Sequence, residues 1–124
     1  SVKADKLRLT QVMTNLIGNA IKFSNEGDTV TVSVSEENNT QDYKRRENGT
    51  LNKVLLVRVE DTGKGIDPEI MPRLFKKFAS KSEKGMGLGL FISKNIVEAH
   101  GGEIWADTPS KENGAVFSFT IPIN

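Results

Sequence analysis

The spacing of apolar residues switches between two periods along this chain, and that alternation leaves few folds open to it. Over residues 5–24, Leu9, Val12, Met13, Leu16, Ile17, Ala20 and Ile21 recur at helical spacing, with Asp5 placed as the N-cap. Asn25-Glu26-Gly27-Asp28 breaks the run, and Val30, Val32 and Val34 then alternate with Thr31, Ser33 and Ser35 as in a half-buried strand. Residues 36–52 are polar and aperiodic, which reads as a long solvated hairpin loop with Lys44, Arg45 and Arg46 at its tip. Residues 53–61 form a second strand, with Leu55, Val57, Val59 and Asp61 in one phase. Pro68 opens a short helix through Ile70 and Met71 towards Leu74 and Phe75. A flexible Ser-, Lys- and Gly-rich segment follows, and residues 88–100 are helical again, stopped by Gly101-Gly102 with His100 capping the C-terminus. Residues 103–107 and 115–123 close the chain as strands, the last with Ala115, Phe117, Phe119 and Ile121 on one face.

This order of elements predicts an α+β fold, a two-layer sandwich with helices on one face of a mixed, mainly antiparallel sheet. At 124 residues, positions 1–124 suit a single domain. A net charge of +1 gives no broad field to draw in nucleic acid, and the absence of cysteine removes thiolate chemistry and disulfides. No apolar stretch reaches the roughly 20 residues of a membrane span, and none resembles a signal peptide, so a cytoplasmic setting is expected.

Three clusters could carry chemistry. Asn15, Asn19 and Lys22 are four and three positions apart, so they share one stripe of the first helix. An amide oxygen is a hard ligand suited to Mg²⁺, and a nearby ammonium can meet phosphate; the same trio is also tolerated on any exposed helix face. Asp61-Thr62-Gly63-Lys64-Gly65 ends a strand with a carboxyl group in the buried phase, where it needs a donor such as the amine of adenine. The pattern equally suits a tight turn capped by the aspartate. Gly85-Met86-Gly87-Leu88-Gly89-Leu90 opens the second long helix with free amides that suit phosphate, without matching the dinucleotide or P-loop glycine spacings. Phe75 and Phe78 read as lid or core anchors.

Taken in order, these segments resemble the ATP-binding domain of histidine kinases, within the wider group that includes gyrase, Hsp90 and MutL. Residues 8–24 look like its N box, Asp61 to Ile66 its G1 box, Phe75-Lys76-Lys77-Phe78 its F box and Gly85 to Leu90 its G2 box, and Ile96-Val97-Glu98-Ala99-His100-Gly101-Gly102 is similar to the stretch that follows. The resemblance covers nearly the whole chain and implies the Bergerat-type α/β sandwich, with ATP and Mg²⁺ as ligands. It implies that Asn19 holds Mg²⁺ with Asn15 in support, that Lys22 contacts phosphate and that Asp61 reads the adenine amine. Gly63, Gly65, Ile66 and Phe78 complete the nucleotide site, and Gly85, Gly87, Leu88 and Gly89 wrap the phosphates. Residues 66–85 become an ATP lid, in which Ser80 and Lys81 stand where many relatives carry an arginine, so Lys81 or Lys84 is expected to meet phosphate.

By the same resemblance the γ-phosphoryl goes to a histidine on a separate dimerisation domain of a homodimer, and from there to a response regulator receiver domain. No histidine in the H-box pattern occurs here, so that domain and some earlier elements are expected outside these residues, along with any membrane anchor. Two other readings stand beside this one: a GHKL-type ATPase, and a catalytically silent nucleotide-binding regulatory module. Asn15 occupies the position of the hydrolases' water-activating glutamate and is a poor general base, which favours transfer over hydrolysis.

Overall fold

The computed structural model describes residues 5–39, 52–63, 65–69, 71–76, 86–108 and 114–123. Helix α1 spans Lys6–Phe23, as the apolar spacing predicts. Asp5 is extended (φ −79°, ψ 102°) and its Oδ1 accepts from the Arg8 N–H at 3.1 Å, satisfying one of the donors a helix start leaves open. Asp5→Ala therefore lowers stability by about 1 kcal/mol, a loss to be read from the midpoint of urea unfolding. At the other end the Ser24 hydroxyl donates to the Ala20 carbonyl at 2.6 Å.

Strands β1 (Val30–Asn39) and β2 (Asn52–Asp61) pair antiparallel, Val30 opposite Asp61 and Asn39 opposite Asn52. Residues 36–39, read from sequence as the start of a loop, thus belong to β1, because paired backbone groups on β2 outweigh their low strand propensity. Asn52, at the far end of that stretch, opens β2, and residues 40–51, with Lys44, Arg45 and Arg46, lie outside the described residues. Among the described residues between β2 and the next helix stands a 3₁₀ turn at Met71–Arg73, shorter than the helix expected from Pro68. Pro72 accounts for the difference, because it has no N–H to give residue 68 and so cannot continue an α-helix begun there.

Helix α2 (Met86–Ala99) starts two residues before the predicted position, taking Gly87 into its first turn. It ends as a Schellman motif, with the Gly101 N–H on the Glu98 carbonyl (2.9 Å) and the Gly102 N–H on the Val97 carbonyl (3.0 Å). Strands β3 (Ile104–Asp107) and β4 (Ala115–Ile123) follow. The sheet order is β1-β2-β4-β3, and every described pairing is antiparallel.

Both helices lie on one face of the sheet, giving the expected two layers. Val12, Leu16 and Ala20 of α1 and Leu90, Ile96 and Val97 of α2 close over Val57, Val59, Ala115, Phe117, Phe119 and Ile121. The strand phases read from sequence are those that point into this core. Strand β1 is the exception, since α1 packs mainly against β2, leaving Val32 and Val34 of the edge strand 43% and 58% exposed.

Candidate functional site

The chemistry-bearing segments converge at one end of the sandwich. The Thr62 N–H donates to the Thr29 carbonyl (3.1 Å) and the Thr29 N–H to Thr62 Oγ1 (2.9 Å), which ties the turn after α1 to the end of β2. The two helices run antiparallel: Asn15 of α1 reaches Gly89 and Ser93 of α2, whereas Asp5 reaches His100. The C-terminal half of α1, the last residue of β2 and the first turns of α2 are thereby gathered together.

Asp61 is 3% exposed, flanked in register by Val30 of β1 and Ala115 of β4. Its Oδ1 accepts from the Gly63 N–H at 2.9 Å, so part of the predicted requirement for a donor is met within the turn itself. The turn is then locked against the start of β4. The Gly114 N–H donates to the Gly63 carbonyl at 2.7 Å, and Gly65 sits at φ +82°, where an added Cβ would stand 2.9 Å from the Gly114 carbonyl oxygen. Only glycine suits both that backbone angle and that approach. Gly63 is buried, and Ile66 packs half-buried against the core.

On α1, the three polar residues of the predicted stripe have different surroundings. Asn19 is 8% exposed, and its Nδ2 is shut away from water without a hydrogen-bond partner among the described residues. Asn15 is half-buried and turned into the helix seam, where its Nδ2 donates to the Gly89 carbonyl and to Ser93 Oγ, each at 3.2 Å. Lys22 is exposed in the last turn of α1, with no ion-pair partner among the described residues. Leu88 and Gly89 are half-buried in the opening turns of α2, with Gly87 just before them. Phe78, Lys81, Lys84 and Gly85 lie outside the described residues.

Two participants were not singled out from sequence. Ser93 is fully buried and receives the Asn15 amide; a hydroxyl in the same helical phase as Leu90 and Val97 was the available signal that a polar partner lay across the seam. Gly114 closes the Asp61 turn, a contact set by strand pairing that no local pattern reveals. At the opposite end of the helix pair, His100 does cap α2, with Nδ1 2.7 Å from the Ile96 carbonyl, but its Nε2 also accepts the Asp5 N–H at 3.0 Å. A shallow hollow of about 500 Å³ lies there beside Arg8 and Ile96, away from Asp61.

Comparison with known proteins places the chain in context. Residues 4–124 match the family model described as histidine kinase-, DNA gyrase B- and HSP90-like ATPase. Sensor protein FixL of Bradyrhizobium diazoefficiens is 35% identical over 121 residues, covering 98% of this chain and 22% of FixL. Among solved structures, the nucleotide-free catalytic domain of histidine kinase ThkA superposes with a TM-score of 0.75 at 34% identity, over 98% of this chain and 70% of that one. Full-length ShkA in complex with AMPPNP gives 0.69 at 30% identity, over 93% of this chain and 21% of that one. The chain thus spans about a fifth of the length of FixL.

Proposed function

The chain belongs to the histidine kinase-, DNA gyrase B- and HSP90-like ATPase family, and from that premise we propose that it binds Mg²⁺·ATP as the catalytic domain of a sensor histidine kinase, presenting the γ-phosphoryl to a histidine on a dimerisation domain. The observation that carries this reading is the Asn19 amide nitrogen, buried on α1 and without a hydrogen-bond partner among the described residues. Leaving such a group without a partner costs about 1–3 kcal/mol, which a fold retains where a ligand completes the bond. The same side chain also carries a carbonyl oxygen, a hard donor of the kind Mg²⁺ takes. Asn19 thus has the donor chemistry to hold such a metal.

In this reading Asp61 selects the base by accepting from its exocyclic amine, while the Gly63–Gly114 and Gly65–Gly114 contacts hold that carboxyl group at a fixed depth. Asn19 holds the metal, and Lys22, free to swing from the last turn of α1, meets phosphate oxygens. The opening amides of α2 at Gly87, Leu88 and Gly89 steady the phosphates, joined by Gly85, Lys81 and Lys84 from the lid. When bound, the metal screens charge on the transferring phosphoryl group. The chain's own part is positioning and electrostatic stabilisation. Two exchangeable amide hydrogens at Asn15, both directed at α2, leave no base for activating water, which supports transfer over the hydrolysis of a GHKL-type ATPase. The phosphoacceptor domain, a homodimeric full-length protein and a downstream receiver domain are the partners this function requires.

Calorimetry with AMPPNP tests the reading. The chain binds AMPPNP in Mg²⁺, and chelating the metal weakens that binding at least tenfold while adenosine is held as before. Asn19→Ala removes the metal dependence. Equal affinity with and without Mg²⁺ for the parent chain contradicts the role given to Asn19.

A further inference from the structure

We propose that Asn15 is a positioning residue that fixes the first turns of α2 against α1, through Gly89 and Ser93, rather than a group that touches metal or phosphate. The inference rests on the nucleotide-binding reading above and assigns a different job to one of its residues. A primary amide has two N–H bonds, and in Asn15 the nitrogen meets two acceptors, the Gly89 carbonyl and Ser93 Oγ, at the same 3.2 Å. Ser93 is fully buried on α2, so its hydroxyl has no access to a ligand and serves only the seam. Gly89 approaches closely enough that an added Cβ would lie 3.8 Å from Asn15 Cγ, in ordinary contact. Asn19, one turn further along α1, is the residue with the unpaired amide.

The chemistry of the seam also accounts for the residue type. A carboxylate at position 15 would set an oxygen against the Gly89 carbonyl, with no N–H to offer either acceptor. Asparagine supplies donors to both, and in doing so sets the distance between Asn19 on α1 and the phosphate-facing amides at the start of α2. Positioning of this kind acts on the triphosphate end of the ligand and leaves the Asp61 end untouched.

The test compares Mg²⁺·AMPPNP with adenosine on the same chain by calorimetry. Asn15→Asp, which keeps ligand oxygens but loses both donors, weakens Mg²⁺·AMPPNP about tenfold and changes adenosine by less than twofold. Ser93→Ala weakens Mg²⁺·AMPPNP about fivefold, and Asn15→Ala combined with Ser93→Ala is no worse than Asn15→Ala alone, within twofold. Adenosine binding doubles as the check on folding; should Ser93→Ala lose it, Ser93→Cys keeps the volume with a weaker acceptor and gives the same comparison. An Asn15→Asp chain that holds Mg²⁺·AMPPNP as tightly as the parent, a silent Ser93→Ala, or additive losses in the double variant each overturn the proposal. If the parent chain binds no nucleotide at all, the functional reading itself falls, which is a separate result.

Discussion

Asp61→Asn lowers the affinity for Mg²⁺·ATP at least tenfold and leaves the fold in place. The substitution is nearly isosteric, and the remaining oxygen can still accept the Gly63 N–H now held at 2.9 Å, so the turn against Gly114 survives. What changes is the second position of the side chain, where an acceptor becomes an NH₂ donor facing, in the proposed nucleotide site, the exocyclic amine of adenine. A hydrogen bond to a charged group is worth about 1.5–3 kcal/mol, and at about 1.4 kcal/mol per factor of ten that is roughly a 10- to 150-fold loss. At 3% exposure, little water is available to compensate. Inosine triphosphate supplies the control, because it carries a carbonyl oxygen where ATP has the amine: Asp61→Asn binds it more tightly than the parent does, inverting the base preference. Calorimetry with the two triphosphates checks both halves, and an unchanged ATP affinity removes Asp61 from base recognition.

That prediction draws on a residue whose depth was legible in sequence. Asp61 continues the phase of Leu55, Val57 and Val59, and because side chains alternate strictly along a strand, a buried phase fixes which face the aspartate takes. The same reasoning carried the apolar face of α1 at Val12, Leu16 and Ala20 and the inward face of β4, since both depend only on local periodicity and one apolar core. Periodicity failed where the outcome depends on what lies across a gap in sequence. Val32 and Val34 alternate as well as any core strand, yet among the described residues α1 packs mainly against β2 and leaves them exposed. Asn15 and Asn19 are indistinguishable as a pair four residues apart; only the arrival of α2, more than 70 residues later, binds one amide and leaves the other open. His100 was legible as a helix cap, but its bond to Asp5 joins residues 95 positions apart. Pro72 was visible in the sequence, and its effect on a helix begun at Pro68 follows from local geometry alone.

The largest loss of stability falls at a glycine whose backbone angle is unremarkable. Gly102 is outside the left-handed region, unlike Gly101 at φ +82°, so a ranking by backbone angle alone makes Gly101 the more sensitive of the two. The surroundings reverse that order. A Cβ on Gly102 would overlap the Thr120 carbonyl oxygen and press within 3.2 Å of Val97 Cγ1, whereas one on Gly101 meets only Pro122 Cγ at 3.5 Å. The Thr120 carbonyl cannot withdraw easily, because the same residue's N–H donates to the Glu103 carbonyl at 2.9 Å and its hydroxyl accepts the Glu103 N–H at 3.1 Å. Nor can Gly102 move, since its own N–H closes the end of α2 on Val97. With backbone rather than a pliant side chain in the way, Gly102→Ala exceeds the usual overpacking range and costs about 3 kcal/mol or more. For a domain of this size that lowers the thermal midpoint by roughly 10–20 °C, against about 1–2 kcal/mol for Gly101→Ala from its backbone angle. Urea and thermal unfolding of the two variants decide the order, and a Gly102→Ala chain as stable as Gly101→Ala means that β4 yields at Thr120. Because the close approach anchors the C-terminal end of α2, a chain that still folds with alanine there must let that helix shift. Mg²⁺·ATP then reports the shift at the other end of the helix, where Ser93 and Gly89 meet Asn15.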